Sequence, residues 1–377
     1  MSEFAIVTDQ IGATPSMPRS VDDVPRCVVA HLNEFFMERQ SAMKAISPVA
    51  DEAMTALTVF TINGGKRIRP TFAWLGWMGS LQLTFSDAAE HPDADAVMHA
   101  ASSLELLQSC ALIHDDIIDS SATRRGMPTV HEHFKQSHSS QAWHGRGENY
   151  GNAVAILIGD LALSWADDMF MEAALPPAQR DRAWQPWQDM RTEVVCGQIM
   201  DVTAEAQGDG SLRTAERVNR YKTAAYTVER PLHIGAALAG APQDTVTALR
   251  TFGRDIGVAF QLRDDQLGVF GDPEVTGKPS GDDLREGKRT TLLALTLDNV
   301  SESDRETVES SLGQPLSEQD VDHLRAIIKK TGAYDRVEKQ IDSLVTSAVH
   351  ALADARLSDD AHRALRSMAI SSTERRR

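Results

Sequence analysis

Cysteine is scarce in this chain: Cys27, Cys110 and Cys196 are scattered, odd in number and without any C-x-x-C spacing. Their rarity argues against a disulfide framework and a thiolate zinc site, and it points to a reducing, cytoplasmic compartment. Basic residues are outnumbered, with 38 Lys and Arg against 54 Asp and Glu and a formal net charge of −16. A nucleic-acid partner needs a basic footprint, so that class is set aside, and the acidic clusters suit divalent cations better. No stretch reaches the ~18 consecutive apolar residues that a bilayer span needs. The opening MSEFAIVTDQIGATPSMPRS has no unbroken apolar core before a small-residue cleavage site, so neither a transmembrane segment nor a signal peptide is expected. Strand-like alternation, internal repeats and Pro/Gly/Ser linkers are missing too.

What is present is helix. With 42% hydrophobic and 24% charged residues, the composition is that of a packed globular protein rather than a disordered one. Apolar positions recur three or four apart over residues 28–59, and again from Pro70 onward, as one face of a helix requires. Further helices are predicted over 96–118, 152–174, 183–206, 215–238 and 245–269. The reading is all-α, with a poorly ordered extension over residues 1–24 and a single domain over 25–377. Two polar, glycine-bearing stretches, 136–151 and 271–289, read as loops at a mouth or surface.

The segment LIHDDIIDSSATRRG places Asp115 and Asp119 four apart with Asp116 beside them, so two carboxylates share nearly one helix face. Such a face repels itself unless a cation neutralises it. Magnesium fits, since it takes one or two carboxylates and completes its shell with water and phosphate. A solvated acidic helix end is the plain alternative, but these residues follow Leu112-Ile113 in an apolar helix, where a solvated face is out of place. FQLRDDQLGVFGD repeats the construction with Asp264 and Asp265, and two such helices argue for one shared metal site. Cations surround them: Lys66 and Arg69 in GGKRIRP, then Arg124, Arg125, Lys222, Lys278 and Lys288. Singly, each could be ordinary surface charge. Glycines before a helix start allow close backbone approach to an anion, and the whole set favours diphosphate binding.

GGKRIRP, LIHDDIID with RRG, Lys222-Thr223, and FQLRDD with GDPEVTGK, in that order, resemble the trans-isoprenyl diphosphate synthase (polyprenyl synthetase) family. The resemblance implies a large antiparallel helical bundle around a central cavity, the isoprenoid synthase fold, usually as a homodimer. It implies that Asp115, Asp116 and Asp119 form the first metal motif, with Asp264 and Asp265 in the second, for about three magnesium ions. Lys66, Arg69, Gln108 and Arg125 match the isopentenyl diphosphate site. Arg124, Lys222, Lys278 and Lys288 match contacts to the allylic diphosphate, while Thr223, Tyr226 and Gln261 match groups lining the allylic tail. The second motif departs from the family pattern at Gly268, where many members have a third aspartate.

The implied reaction is the magnesium-dependent condensation of isopentenyl diphosphate with dimethylallyl, geranyl or farnesyl diphosphate. One helical turn rises about 5.4 Å, close to an isoprene unit, so side chains one turn apart below Asp115 act as successive floors. The positions where shorter-chain members carry aromatics hold Cys110 and Ala111, with Leu107 and Leu104 next on that face. Geranylgeranyl diphosphate is the expected product, with farnesyl or longer polyprenyl diphosphates as alternatives. A non-catalytic regulatory subunit is the rival from another class, and it would be expected to lose more carboxylates than Gly268 alone. A terpene cyclase would not need GGKRIRP, and a phosphohydrolase built on His114-Asp115 lacks further ligands at helical spacing.

Overall fold

A computed structural model describes residues 17–272 and 281–373. The chain is all-α, as predicted: the sheet among the described residues is one antiparallel pair, Thr123–Arg124 with Met127–Pro128. It divides into two compact units, residues 1–78 with 83–180, and residues 79–82 with 181–377.

The first unit holds α1 (Val24–Ile46), α2 (Pro48–Ile62), the body of α3 (Ile68–Ser80), α4 (Phe85–Glu90), α5 (Ala94–Ile118), α6 (Val130–Ser140) and α7 (Gly147–Glu172). Helical structure is present within the stretch read as an extension. A 3-10 turn at Val21–Asp23 leads straight into α1, and Val24 is fully buried. The run expected over 28–59 is two helices, because the apolar period passes unbroken through a stop signal. Ser47 accepts from Ala50 N across 3.1 Å, and Pro48 follows at the first helical position, where its missing N–H costs nothing. The loop expected over 136–151 shrinks to residues 141–146. Gly151 serves helix packing instead, for a Cβ there would lie 2.2 Å from His131 O. By length and composition α5 could cross a membrane, but 78% of its most apolar window is buried. It packs along α7 and against α1, while Trp165 of α7 meets the rings of Phe35 and Phe36 edge-on.

The second unit is built from α8 (Pro177–Gln207), α9 (Leu212–Val218), a π-helix (Asn219–Glu229), α10 (Arg230–Ala239) and α11 (Gln243–Phe270). After these come α12 (Asp282–Glu286), α13 (Thr291–Leu297), α14 (Glu302–Ser311), α15 (Glu318–Lys330), α16 (Ala333–Ala353) and α17 (Asp359–Thr373). α11 packs along the π-helix and α16, over a core that includes Leu262, Leu292, Val321, Leu324 and Ile341. The helix predicted over 215–238 is thus α9, a π-helical turn and α10. Part of the loop expected over 271–289 is α12. Lys278 lies outside the described residues.

Candidate active site

α5 delivers the first aspartate segment at its C-terminal end. Asp119 caps the helix and donates from its backbone N to Asp115 O across 2.8 Å, which sets the two carboxylates one turn apart. Both keep partial exposure. Asp116 does not: its side chain is 1% exposed, and Arg124 holds Oδ1 from Nε at 2.8 Å and Nη2 at 2.7 Å. Burial raises the Asp116 pKa above the ordinary carboxylate value, with Arg124 opposing it. Arg124 reaches Asp115 only at 3.9 Å. The three aspartates therefore differ in task, two facing partly outward and one anchoring an arginine.

The turn after Arg124 has Arg125 and Gly126 at φ 55° and 76°, the pair of positive values that a tight hairpin demands. It swings Arg125 over the glycine loop. Arg125 Nη1 donates to Asn63 O across 2.9 Å, and a Cβ at Gly64 would come within 3.3 Å of Arg125 Cδ. Gly64 and Gly65 have φ near 90°, so this approach needs glycine twice over. Lys66 is exposed and Arg69 half-buried in the first turn of α3. Burial, then the charges of Arg67 and Arg124, lower the Arg125 pKa, with Arg69 adding to the effect and Glu105 opposing it.

Arg67, between the two predicted anion-binding cations, has another function. It is 4% exposed, donates to Thr61 O and Ile62 O at 2.8 and 2.6 Å, and pairs with Glu105 of α5 at 2.5 Å. That pair fastens the cationic loop to the aspartate helix. Gln108 lies one turn beyond Glu105, half-buried. Leu104, Leu107 and Cys110 are buried, while Ala111 is partly exposed. His114 is hydrogen-bonded to Ile156 O at 3.1 Å.

In the second unit the π-helix carries Lys222, Thr223 and Tyr226. Three glycines let flanking helices close on it. A Cβ at Gly197 of α8 would meet Lys222 N at 2.3 Å, and Cβ atoms at Gly257 and Gly253 of α11 would meet Ala224 Cα and Glu229 Cα at 2.6 and 2.5 Å. Lys222 Nζ donates to Asp201 Oδ2 across 2.6 Å. Tyr226 is buried and Thr223 half-buried. On α11, Asp264 is exposed, whereas Asp265 is 4% exposed and accepts from Gln261 Nε2 at 2.7 Å. Burial, then the charge of Asp283, push the Asp265 pKa up to about 8. Lys288 Nζ lies 2.6 Å from Glu286 and 3.5 Å from Asp283.

Within the first unit, then, Arg124 joins Asp116 and Arg125 joins the glycine loop. Within the second, Gln261 joins Asp265. Among the described residues no group of three or more His, Cys, Asp or Glu gathers as a metal cage. Sequence reasoning missed Glu105, Asp201 and Asp283. Asp201 carried a faint signal, one turn beyond Gly197-Gln198 on α8. Asp283 sat unnoticed in the segment read as loop.

The fold defines the class: an all-α isoprenoid synthase. A profile described as polyprenyl synthetase matches residues 51–330, and the chain belongs to that family. It is similar to the crystal structure of a geranylgeranyl pyrophosphate synthase from Corynebacterium glutamicum complexed with isoprenyl diphosphate and magnesium. Identity there is 43% and the TM-score 0.89, over 95% of this chain and 100% of the other. The geranylfarnesyl diphosphate synthase of Aeropyrum pernix is 33% identical over 282 residues, 74% of this chain and 79% of the relative. The (2E,6E)-farnesyl diphosphate synthase of Mycobacterium tuberculosis is 35% identical over 237 residues, 62% of this chain and 57% of its own length. The chain is accordingly an enzyme, a prenyltransferase.

Proposed function

We propose that this prenyltransferase joins isopentenyl diphosphate to dimethylallyl, geranyl or farnesyl diphosphate in a magnesium-dependent trans 1′-4 condensation, with geranylgeranyl diphosphate as the main product. The observation that carries the reading is Arg125, set over the Gly64-Gly65 turn and crowded by Arg67, Arg124 and Arg69. Arg67 and Arg124 are each paired with a carboxylate, and a diphosphate would supply Arg125 with matching charge and acceptor oxygens. In this reading Lys66, Arg69, Gln108 and Arg125 hold the isopentenyl diphosphate. Arg124, Lys222, Lys278 and Lys288 hold the allylic one, and residues 25–377 act as one catalytic domain with a central cavity, working as a cytoplasmic homodimer.

Asp115, Asp119 and Asp264 are the carboxylates suited to hold the cations. They are hard oxygen donors with some exposure, as suits an ion that takes few protein ligands and completes its shell from phosphate and water. Asp116 fits less well, committed as it is to Arg124. Bound magnesium would supply charge stabilisation for the departing diphosphate. The protein's own cations add to that stabilisation as the allylic C–O bond breaks. Thr223, Tyr226 and Gln261 line the path of the developing cation, the isopentenyl double bond attacks it, and the proton leaves to the departing diphosphate. Small Cys110 and Ala111 set the floor deeper than farnesyl diphosphate would need.

The test is incubation of the purified protein with magnesium, labelled isopentenyl diphosphate and each allylic primer, followed by sizing of the dephosphorylated products. Geranylgeraniol should predominate and vanish with a chelator. Absence of condensation with every primer would sink the reading, and a larger geranylfarnesyl product would correct its length.

A further inference from the structure

Arg220 and Glu229 stand near the two ends of the π-helix, and their side chains meet: the Arg220 guanidinium forms an ion pair with Glu229 Oε2. They are nine residues apart. In an α-helix that separation is roughly two and a half turns, which would set them on opposite faces. A π-helix, closed by i→i+5 bonds, takes about 4.4 residues per turn, so the same separation completes about two turns and brings both side chains to one face. The pair is therefore a contact that the π register permits and the α register forbids.

Glu229 is 2% exposed, so its charge needs partners. Arg250 of α11 is the second, reaching Oε1 from Nε and Nη2 at 3.0 Å each. The next residue, Arg230, turns to α8 instead. Its Nε and Nη2 donate to the two carboxylate oxygens of Glu193 at 2.8 and 2.5 Å, and its Nη1 lies 3.1 Å from Asp189. The last turn of the π-helix is thus tied to two helices, and Arg220 ties the first turn to the last. Were the segment to rewind as an α-helix, Glu229 would keep Arg250 and lose Arg220. Eleven π-helical residues far exceed the single-turn bulge usual for this geometry, and the closing pair offsets part of the cost.

We propose that the Arg220–Glu229 pair is a register lock: it holds residues 219–229 in the π form and so sets the directions of Lys222, Thr223 and Tyr226, which lie between its partners. Rewinding would turn each successive residue by about 18° more, which at Tyr226 amounts to roughly 110° around the axis relative to Arg220. Arg220 and Glu229 act through those three side chains and are positioning residues. The assignment rests on the prenyl diphosphate reading and adds to it the contact that shapes the allylic side of the site.

Steady-state kinetics and backbone hydrogen exchange on the full chain test this together. Arg220→Met opens the lock and leaves the Glu229–Arg250 pair in place, so the buried carboxylate keeps a partner. It should lower kcat/KM for farnesyl diphosphate by about tenfold or more and speed amide exchange over residues 219–229. KM for isopentenyl diphosphate, whose assigned contacts belong to the first unit, should stay within about twofold. Arg220→Lys, which restores the charge and most of the reach, should recover both effects, whereas Arg250→Met, which leaves the lock closed, should produce neither. Should Arg220→Met fold poorly, Arg220→Gln makes the same comparison. Unchanged kcat/KM for farnesyl diphosphate, a parallel rise in KM for isopentenyl diphosphate, exchange over 219–229 no faster than in the unaltered protein, or the same effects from Arg250→Met overturns the assignment. Absence of condensation by the unaltered protein overturns the underlying reading and the assignment with it.

Discussion

Lys222 donates from Nζ to Asp201 Oδ2 across 2.6 Å, joining the π-helix to α8 at a site where both side chains remain partly exposed. An ion pair of that kind contributes little to stability, about 0–1 kcal/mol. Its value is in where it aims the ammonium.

Lys222→Met should therefore leave the melting temperature nearly unchanged while cutting kcat/KM for the allylic diphosphate by about a hundredfold. Steady-state kinetics against each substrate, with a melting curve, would check both halves. Parallel losses in stability and activity would make Lys222 a structural residue instead.

The Arg67–Glu105 pair should behave in the opposite way. Both side chains are nearly fully buried, and removing one partner strands the other charge away from water. Glu105→Ala should destabilise the protein by about 3–5 kcal/mol, read by urea unfolding. Because the same pair fastens the cationic loop to α5, KM for isopentenyl diphosphate should rise in the fraction that remains folded.

Much of this was legible in the sequence, and what was not has physical causes. Carboxylates four apart at the end of an apolar helix announce Asp115 and Asp119 by period alone. The break at Ser47-Pro48 is masked because apolar residues keep their spacing across it. The π-helix at Asn219–Glu229 is invisible to a 3.6-residue pattern, since it accompanies close approach by Gly197, Gly253 and Gly257 from two other helices. Asp283 was missed for a related reason: its place above Gly268 is created by packing between α11 and α12. Arg67, by contrast, had the right charge for the anion site and the wrong direction, which only its burial reveals.

Acid should weaken the fold in a defined window. Burial lowers the His233 pKa from 6.5 to about 4, with Arg250 and Arg230 adding to the effect. Burial does the same to His31, which also falls to about 4, Asp95 opposing and His99 reinforcing. The unfolded chain takes up these protons before the folded one. The stabilisation is complete above the unfolded value of 6.5, and it is lost as pH falls from there toward about 4. At pH 5 each histidine should cost on the order of 2 kcal/mol. Urea unfolding at pH 7 and 5 would read the difference, and His233→Gln should remove part of it.

Chain length offers the sharpest use of α5. Leu104 and Leu107 are about as buried as side chains become, at 1% and 2% exposed, while Cys110 is at 7% and Ala111 is partly open. The Cys110 thiol is pushed up to about 12 by burial, so it is not a reactive group and its replacement removes no chemistry. Its neighbour is His114 Nδ1 at 3.8 Å. Cys110→Phe should shift the product from geranylgeranyl toward farnesyl diphosphate, because the ring raises the floor by about one turn of helix. The melting temperature separates two explanations. If the ring enters space meant for the growing chain, stability should change by less than about 1 kcal/mol. If Cys110 is simply packed core, overpacking should cost about 1–3 kcal/mol and product length should stay the same. Chromatography of the dephosphorylated products together with a melting curve therefore decides whether Cys110 is a floor or a filler.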